Sequence, residues 1–546
     1  MSTEAGAASP RRRQLAIAAV ALAAILLSPT LAYRATTDQG VFLYMGSQLL
    51  HGGWPYLATW EADYPGMVFL QALELLLLGK SIVCFRLFDW LLQIGSASFL
   101  FLLTRRMANT AGALLAACLF ALLYQHQGPW NTAQRESFGL FFALAGLTLV
   151  VFRGAAAPRV TAFLAGLTIG YCFLIKPTLL SFAALYAPLI FSARRVGLRR
   201  SLGIAAAAMS GVALPVAITL ALYAHLGGLR ELWEACIQFP LYYAQVLDSG
   251  NGFWAEAARK AAGLSGSSLF MLGLAALLPL ARRRRLEMSM LACGYLGTLF
   301  AVWVQGTFAG YHYQPAMGLG CILLGTAFAR GMGLCRRFAS ARLPGMPFPR
   351  ESLVALLVVL LAIPLYVRPG DVRNLVKGRF LEPPGPHAYQ NLPFFDFYDS
   401  WRAAAYMRQR TRPGERIQIW GYESLTYFLA DRRAASRFQI TTPLVLEAPG
   451  KGRAPVQDRW RAEFVADMKH TQPPYVAVVR DGGWWWAPGQ RSSELLVADF
   501  PAWQQILTNH YQLEAKIGRF LIFHRHGSAD EGEGHREGGH ELGQAR

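Results

Sequence analysis

Charge is scarce in this chain. Only 16% of its 546 residues are Asp, Glu, Lys or Arg, whereas 54% are hydrophobic, and mean hydropathy is +0.28. That balance excludes an ordinary soluble domain, and the apolar residues gather in repeated runs of roughly 17–25, the length that crosses a bilayer. Acid is scarcer than base, 33 residues against 52, for a net charge of +19. Such a value suggests a polyanion partner. Yet the basic residues sit in short clusters between apolar runs: Arg11–Arg13, Arg105-Arg106, Arg194-Arg195 with Arg199-Arg200, and Arg282 to Arg285. This is the cytoplasmic excess of the positive-inside rule, and it accounts for most of the charge without nucleic acid. The seven cysteines are scattered, none lies beyond Cys335 and none forms a C-x-x-C pair, which argues against a disulfide framework or a metal site. A phosphate-binding P-loop, a dinucleotide fingerprint, a zinc signature, a nucleophile elbow and an internal repeat are all missing.

What is present is a series of apolar segments at about 14–33, 82–104, 110–126, 137–152, 159–175, 178–193, 201–225, 264–281, 287–305, 311–330 and 351–367. The chain therefore reads as an α-helical polytopic membrane protein with about 11 transmembrane helices. Arginine clusters on the inside place the N-terminus in the cytoplasm. The loops at 34–64, 125–136, 226–263 and 306–311 then face outward, as does everything after 367. The apolar stretch 65–79 contains Gln71 and Glu74 and reads as a partial or continuous extension of the second helix. The first segment has the basic start of a signal peptide, but its apolar stretch is long, and an uncleaved helix fits the alternation of later loops.

Residues 1–367 form the transmembrane domain in this reading, and 368–525 form an extracytoplasmic α/β domain. Strand-like runs occur there at Arg416–Trp420, Tyr475–Val479 and 520–523, with helical stretches at about 396–410, 422–430 and 493–509. The tail 526–546 is Gly-, Glu- and His-rich and has nothing apolar to bury, which predicts disorder.

Polar residues collect at four outward places. Asp38, with Glu61 and Asp63 at the far end of the same loop, stands beside a low-dielectric wall that suits a general base, while a helix N-cap at Thr37 or Asp38 is the local alternative. Arg135-Glu136 enter an apolar helix, either as a solvated ion pair or as ligands for a phosphate and a hydroxyl. Lys176 lies at a helix end, either snorkelling to the interface or holding an anionic headgroup. Gln305, Tyr311 and His312 lie in a tight turn where aromatics serve as belt anchors, a role that leaves His312 unexplained.

Taken in order, these places resemble the GT-C class of membrane glycosyltransferases, in the branch of bacterial relatives of protein O-mannosyltransferase and lipid A aminoarabinose transferase. The resemblance covers about residues 10–330. It rests on Asp38-Gln39 followed by a short amphipathic helix, on Tyr64-Pro65-Gly66 leading to Leu78-Gly79, and on Glu136. It also rests on Ile175-Lys176-Pro177 and on Gln305-Gly306 with Tyr311-His312. It implies a sugar carried on polyprenyl phosphate as donor and an extracytoplasmic hydroxyl, on a glycolipid, glycan or protein, as acceptor. Asp38 would be the base of an inverting displacement, with Glu136 orienting acceptor or sugar. Arg135, Lys176 and His312 would hold the donor phosphate, and Asp63, Tyr311 and Gln305 would contact substrate. No cofactor is called for; a divalent cation is optional, and no residue is assigned to a metal. A bacterial inner (plasma) membrane location follows from the same resemblance. Two positions depart from the family pattern: Gln39 replaces the second acid of an Asp-Glu pair, and Asp63 stands where a phosphate-binding Lys is common.

A transporter or flippase of a lipid-linked saccharide is the alternative from another class. It would call for charged or broken helices at mid-bilayer and for related halves. A ligase or polymerase of lipid-linked glycans would call for a large late loop rich in Arg and His. Here the polar residues gather at one face and the late loop is short.

Overall fold

The computed structural model describes residues 10–189, 197–246, 255, 258–259, 285–342, 349–379, 381, 383, 395–448, 452–480 and 493–526. The apolar segment expected at 264–281, much of the loop 226–263 and the tail beyond His526 lie outside the described residues.

Long apolar runs form the helices α1 (Pro10–Leu27), α4 (Ile82–Met107), α6 (Arg135–Arg153), α7 (Pro158–Ile175), α8 (Leu198–His225), α9 (Arg285–Gln305) and α10 (Gln314–Arg342). Among the described residues, 7 helices are long and apolar enough to cross a membrane, counting the turns that extend α1 and α10. The remaining expected segments differ from that pattern. Residues Thr110–His126 (α5) and Pro177–Leu189 form shorter apolar helices, and α11 (Glu351–Tyr366) turns by 90° into Pro369–Val376. The protein is thus a polytopic helical membrane protein, with fewer full-length spans among these residues than the eleven expected from hydropathy.

With no hydrophobic drive between helices in lipid, close packing of small residues holds the bundle. A Cβ on Gly166 would lie 2.1 Å from the Ala208 carbonyl oxygen, and one on Gly170 2.3 Å from that of Val212, so α7 and α8 meet backbone to backbone.

The stretch 65–79 does not continue into the second spanning helix. It forms a separate helix, α3 (Gly66–Leu78), closed by Gly79 at φ +93, a conformation that favours glycine. Ser81 then caps α4 by accepting from the Cys84 N–H at 3.0 Å. Ahead of α3 in the chain, the short helix α2 (Thr37–Leu50) packs against α3 and against the Ser424–Ala430 helix of the C-terminal domain.

The C-terminal domain is built on a five-stranded sheet of β1 (Arg416–Trp420), β2 (Arg433–Ala434), β3 (Tyr475–Val479), β4 (Tyr511–Ile517) and β5 (Phe520–Arg525), in the order β2-β1-β3-β5-β4. The first three run parallel, with Ile417 opposite Tyr475, while β5 pairs antiparallel with both β3 and β4. A parallel pair needs a crossover. Helix α12 (Pro455–Thr471) supplies it between β1 and β3, burying Val456, Trp460, Phe464 and Met468 at four-residue spacing. Trp420, Phe464 and Trp503 pack at 5.3–5.7 Å between ring centres in the core behind the sheet.

This domain is clamped to the first loop of the bundle. The Gln439 side chain makes a two-way amide pair with the Trp60 backbone, accepting at 2.8 Å and donating at 2.6 Å, and Arg437 donates to the Tyr56 carbonyl at 2.7 Å. Tyr44 of α2 stacks on Tyr427 at 5.0 Å and accepts a hydrogen bond from the Ala434 N–H.

Candidate functional site

Four segments of the bundle converge near the C-terminal domain: the first loop with α2, the entry to α6, the turn after α7, and the turn before α10. Thr36, not Asp38, caps α2; its N–H donates to Gln39 Oε1 at 2.9 Å. Asp38 is therefore free of the capping role that local sequence offered it. It lies partly buried in the first turn of α2, where Tyr422 of the C-terminal domain donates a hydrogen bond to its Oδ1 at 3.3 Å.

Burial is the main influence on Asp38 and raises its pKa to about 6, reinforced by Asp63 and Glu136 and opposed by Arg135 and the Tyr422 hydroxyl. A carboxyl at that value is ionised near neutrality yet basic enough to accept a proton. Glu61 is more deeply buried. Its Oε1 accepts from the Ala62 N–H at 2.8 Å and its Oε2 has no partner. Burial and the adjacent Asp63 push its pKa well above the usual carboxylate range.

The cationic side comes from two helix ends. Arg135 opens α6 and forms an ion pair with Asp63, its guanidinium lying 5.4 Å from the centre of the Phe42 ring of α2. Glu136, 1% exposed, accepts from Lys176 Nζ at 2.5 Å, and His312 Nε2 lies 3.7 Å from the same oxygen. Burial is the main influence on Lys176 and lowers its pKa, with Glu136 opposing. Tyr311 places its ring 5.9 Å from Lys176 Nζ and 4.5 Å from the His312 ring, and His312 Nδ1 is 3.3 Å from the Thr307 hydroxyl.

The structure thus brings Asp38, Asp63, Arg135, Glu136, Lys176, Tyr311 and His312 into one constellation. Gln305 stands apart from these contacts: its amide donates to the Ala301 carbonyl of its own helix at 3.1 Å. Among the described residues, no group of three or more His, Cys, Asp or Glu side chains is placed to hold a metal ion.

The structure adds a bracing role for Gln39, which the sequence marks only as a departure from the family pattern, and two residues it does not single out, Arg86 and Tyr422. Gln39 donates to the carbonyls of Pro129 and Thr132 at 2.9 and 2.6 Å, tying the first loop to the second. Arg86, fully buried near the start of α4, donates to Arg34 O, Gln39 Oε1, Pro129 O and Thr132 Oγ1 at 2.5–3.2 Å and so fixes the same two loops. Its signal was present, because an Arg inside an apolar segment marks a site by default. Tyr422 has no local sequence signal, since it meets Asp38 across 384 residues of chain.

No protein-family model matches the chain, and no curated protein matches it in sequence. Solved structures do match. ArnT from Cupriavidus metallidurans bound to undecaprenyl phosphate aligns with a TM-score of 0.55 at 14% identity, over 96% of this chain and 99% of that one. The apo state of the same protein gives 0.53 at 14% identity, over 93% and 97%. The archaeal oligosaccharyltransferase AglB from Archaeoglobus fulgidus, in complex with an inhibitory peptide and a dolichol-phosphate, aligns at 0.47 and 14% identity, over 86% of this chain and 70% of that one. Nearly the whole length of the present chain, bundle and C-terminal domain together, therefore shares the fold of ArnT, a GT-C glycosyltransferase.

Proposed function

We propose that this protein is an inverting glycosyltransferase that moves a sugar from a polyprenyl-phosphate carrier to a hydroxyl on the extracytoplasmic side of the bacterial inner membrane. One observation carries the reading: Asp38 is a partly accessible carboxyl with raised proton affinity, acted on by Arg135 and by Glu136, the partner of Lys176. In that arrangement Asp38 takes the proton of the acceptor hydroxyl as its oxygen attacks the anomeric carbon. The bond from that carbon to the phosphate oxygen breaks, and the lipid phosphate leaves with its electron pair. Arg135 and Lys176 receive the growing negative charge in a partly dehydrated place, where such contacts count for more than in water. Arg135 keeps its Nε without a partner, and the Lys176 ammonium has three donors of which Glu136 takes one. Glu136, held by Lys176, is placed to orient acceptor or sugar. ArnT bound to undecaprenyl phosphate, with the same fold over nearly the whole chain, supports the choice of a polyprenyl-phosphate carrier.

A flippase is disfavoured by the concentration of these charges at one end of the bundle and by their attachment to a C-terminal domain. The deciding experiment is mass spectrometry of envelope glycans and glycoproteins from a strain lacking this chain. A monosaccharide should be missing, restored by the wild-type chain and not by Asp38→Asn at equal membrane abundance. Full restoration by Asp38→Asn would reject the base.

A further inference from the structure

Proton transfer at Asp38 and charge capture at Arg135 and Lys176 leave the C-terminal domain without a task. We infer that Tyr422 is a positioning residue for Asp38, and that through it the C-terminal domain forms part of the transfer site itself. The inference rests on Asp38 being the base.

The geometry begins at the carboxyl end of β1, where the crevice outside a parallel sheet edge is a recurrent place for function. Trp420 ends the strand, and the Gly421 carbonyl accepts from the Thr441 N–H at 3.2 Å. On the other side of Tyr422, the Glu423 carboxylate is fully engaged, accepting from Ser400 at 3.2 Å and pairing with Arg519. Both neighbours of Tyr422 are therefore fixed within the domain. Two residues beyond Asp38, Gly40 meets Leu425 so closely that a Cβ on Gly40 would lie 2.5 Å from Leu425 Cβ and 2.8 Å from its Cα. No side chain larger than hydrogen fits there without moving the domain. That contact sets the distance between α2 and the domain, and with it the 3.3 Å hydrogen bond from the Tyr422 hydroxyl to Asp38 Oδ1.

The groups that act on Asp38 come from every side. Asp63 and Glu61 belong to the first loop, Arg135 and Glu136 to the entry of α6, Tyr311 to the turn before α10, and Tyr422 to the C-terminal domain. Of these, Arg135 and Tyr422 favour the ionised carboxylate, and Tyr422 alone does so by a direct hydrogen bond. Arg135 already carries Asp63. Losing the Tyr422 hydroxyl should therefore leave Asp38 harder to ionise and freer to rotate.

The test uses the full-length protein in membranes and needs no knowledge of the sugar. Dicyclohexylcarbodiimide modifies carboxyls in their protonated form, and the pH midpoint of Asp38 labelling is read by peptide mass spectrometry. In the wild type that midpoint should fall near the raised value of about 6. Tyr422→Phe removes one oxygen and keeps the ring, and should move the midpoint upward by about one unit. Such a shift cuts the ionised fraction about fivefold at pH 6 and leaves it almost unchanged at pH 8, so restoration of the missing sugar should fall in acidic medium and recover in alkaline medium. Tyr427→Phe keeps the ring stacked on Tyr44 and removes only the hydroxyl that accepts from the Ile419 N–H. That change does not touch Asp38 and should leave the midpoint in place. An unchanged midpoint in Tyr422→Phe, or an equal shift in Tyr427→Phe, would overturn the inference. A shifted midpoint combined with full glycan restoration by Asp38→Asn would instead retain the Tyr422–Asp38 coupling and reject Asp38 as the base.

Discussion

The first loop and the helix ends it meets handle charge in opposite ways. On the loop, Asp38, Glu61 and Asp63 crowd together. Burial and mutual repulsion raise the proton affinity of Asp38 and Glu61, and one carboxylate oxygen of Glu61 has no partner. At the helix ends, charges are matched: Arg135 faces Asp63, Lys176 faces Glu136, and His312 backs the same carboxylate. A crowded carboxylate is a ready proton acceptor, because taking a proton relieves repulsion. Paired cations in a dry setting are a ready receptor for an anion that replaces their partners. In the proposed mechanism this difference would separate proton transfer from leaving-group stabilisation and give each its own segment of chain.

The largest effect should come from removing the base. Asp38→Asn keeps shape and hydrogen-bonding capacity but cannot take a proton, and transfer should fall by about 10²–10⁴-fold. Purified protein with a lipid-phosphate sugar identified from the deletion strain would measure it. Lys176→Ala and Arg135→Ala act on the other segment. Each should cost about 10²-fold in donor kcat/KM with acceptor KM little changed. If the acceptor KM moved instead, the cations would belong to the acceptor and the division between the two segments would fail.

How far the sequence anticipated this arrangement depended on distance along the chain. Several helix ends agree with hydropathy closely, as in Thr110–His126, because a run of apolar residues is its own signal, whereas α10 runs on to Arg342, past the expected end at 330. The four polar places were visible because a charge at the end of an apolar segment is costly and stands out. What escaped notice depended on tertiary context. Helix α12 hides its stripe of Val456, Trp460, Phe464 and Met468 among charged residues, although the parallel pairing of β1 and β3 demands a crossover there. β4 is an edge strand with five of its seven residues at least partly exposed, so its apolar pattern is weak. Tyr422 could be assigned only once the C-terminal domain was placed on α2.

Gln39 sharpens the comparison, because it sits beside Asp38 where the resembled family carries an acid. In this chain it is structural: the amide donates to two carbonyls of the second loop while its oxygen accepts from Thr36 N and Arg86. Gln39→Glu replaces two donor hydrogens with an acceptor facing two carbonyls. It should cost about 1–3 kcal/mol of stability, read as a lower Tm, without raising transfer. A gain in transfer would mean that the site lacks a second acid and that the loop is not optimised around Gln39.

The smallest expected effect isolates the crowding itself. Glu61 has its proton affinity raised in the folded protein, so the folded state binds a proton that the unfolded chain releases near its ordinary value of about 4.3. Stability from this group is complete below that value and is lost as pH rises through the folded-state value. Glu61→Gln is neutral throughout and removes the dependence. The variant should gain little at about pH 5 and gain most at about pH 9, as the difference in Tm from wild type in the same detergent. An equal difference at both pH values would show that Glu61 is already ionised beside Asp63, and the contrast between a crowded loop and matched helix ends would then rest on Asp38 alone.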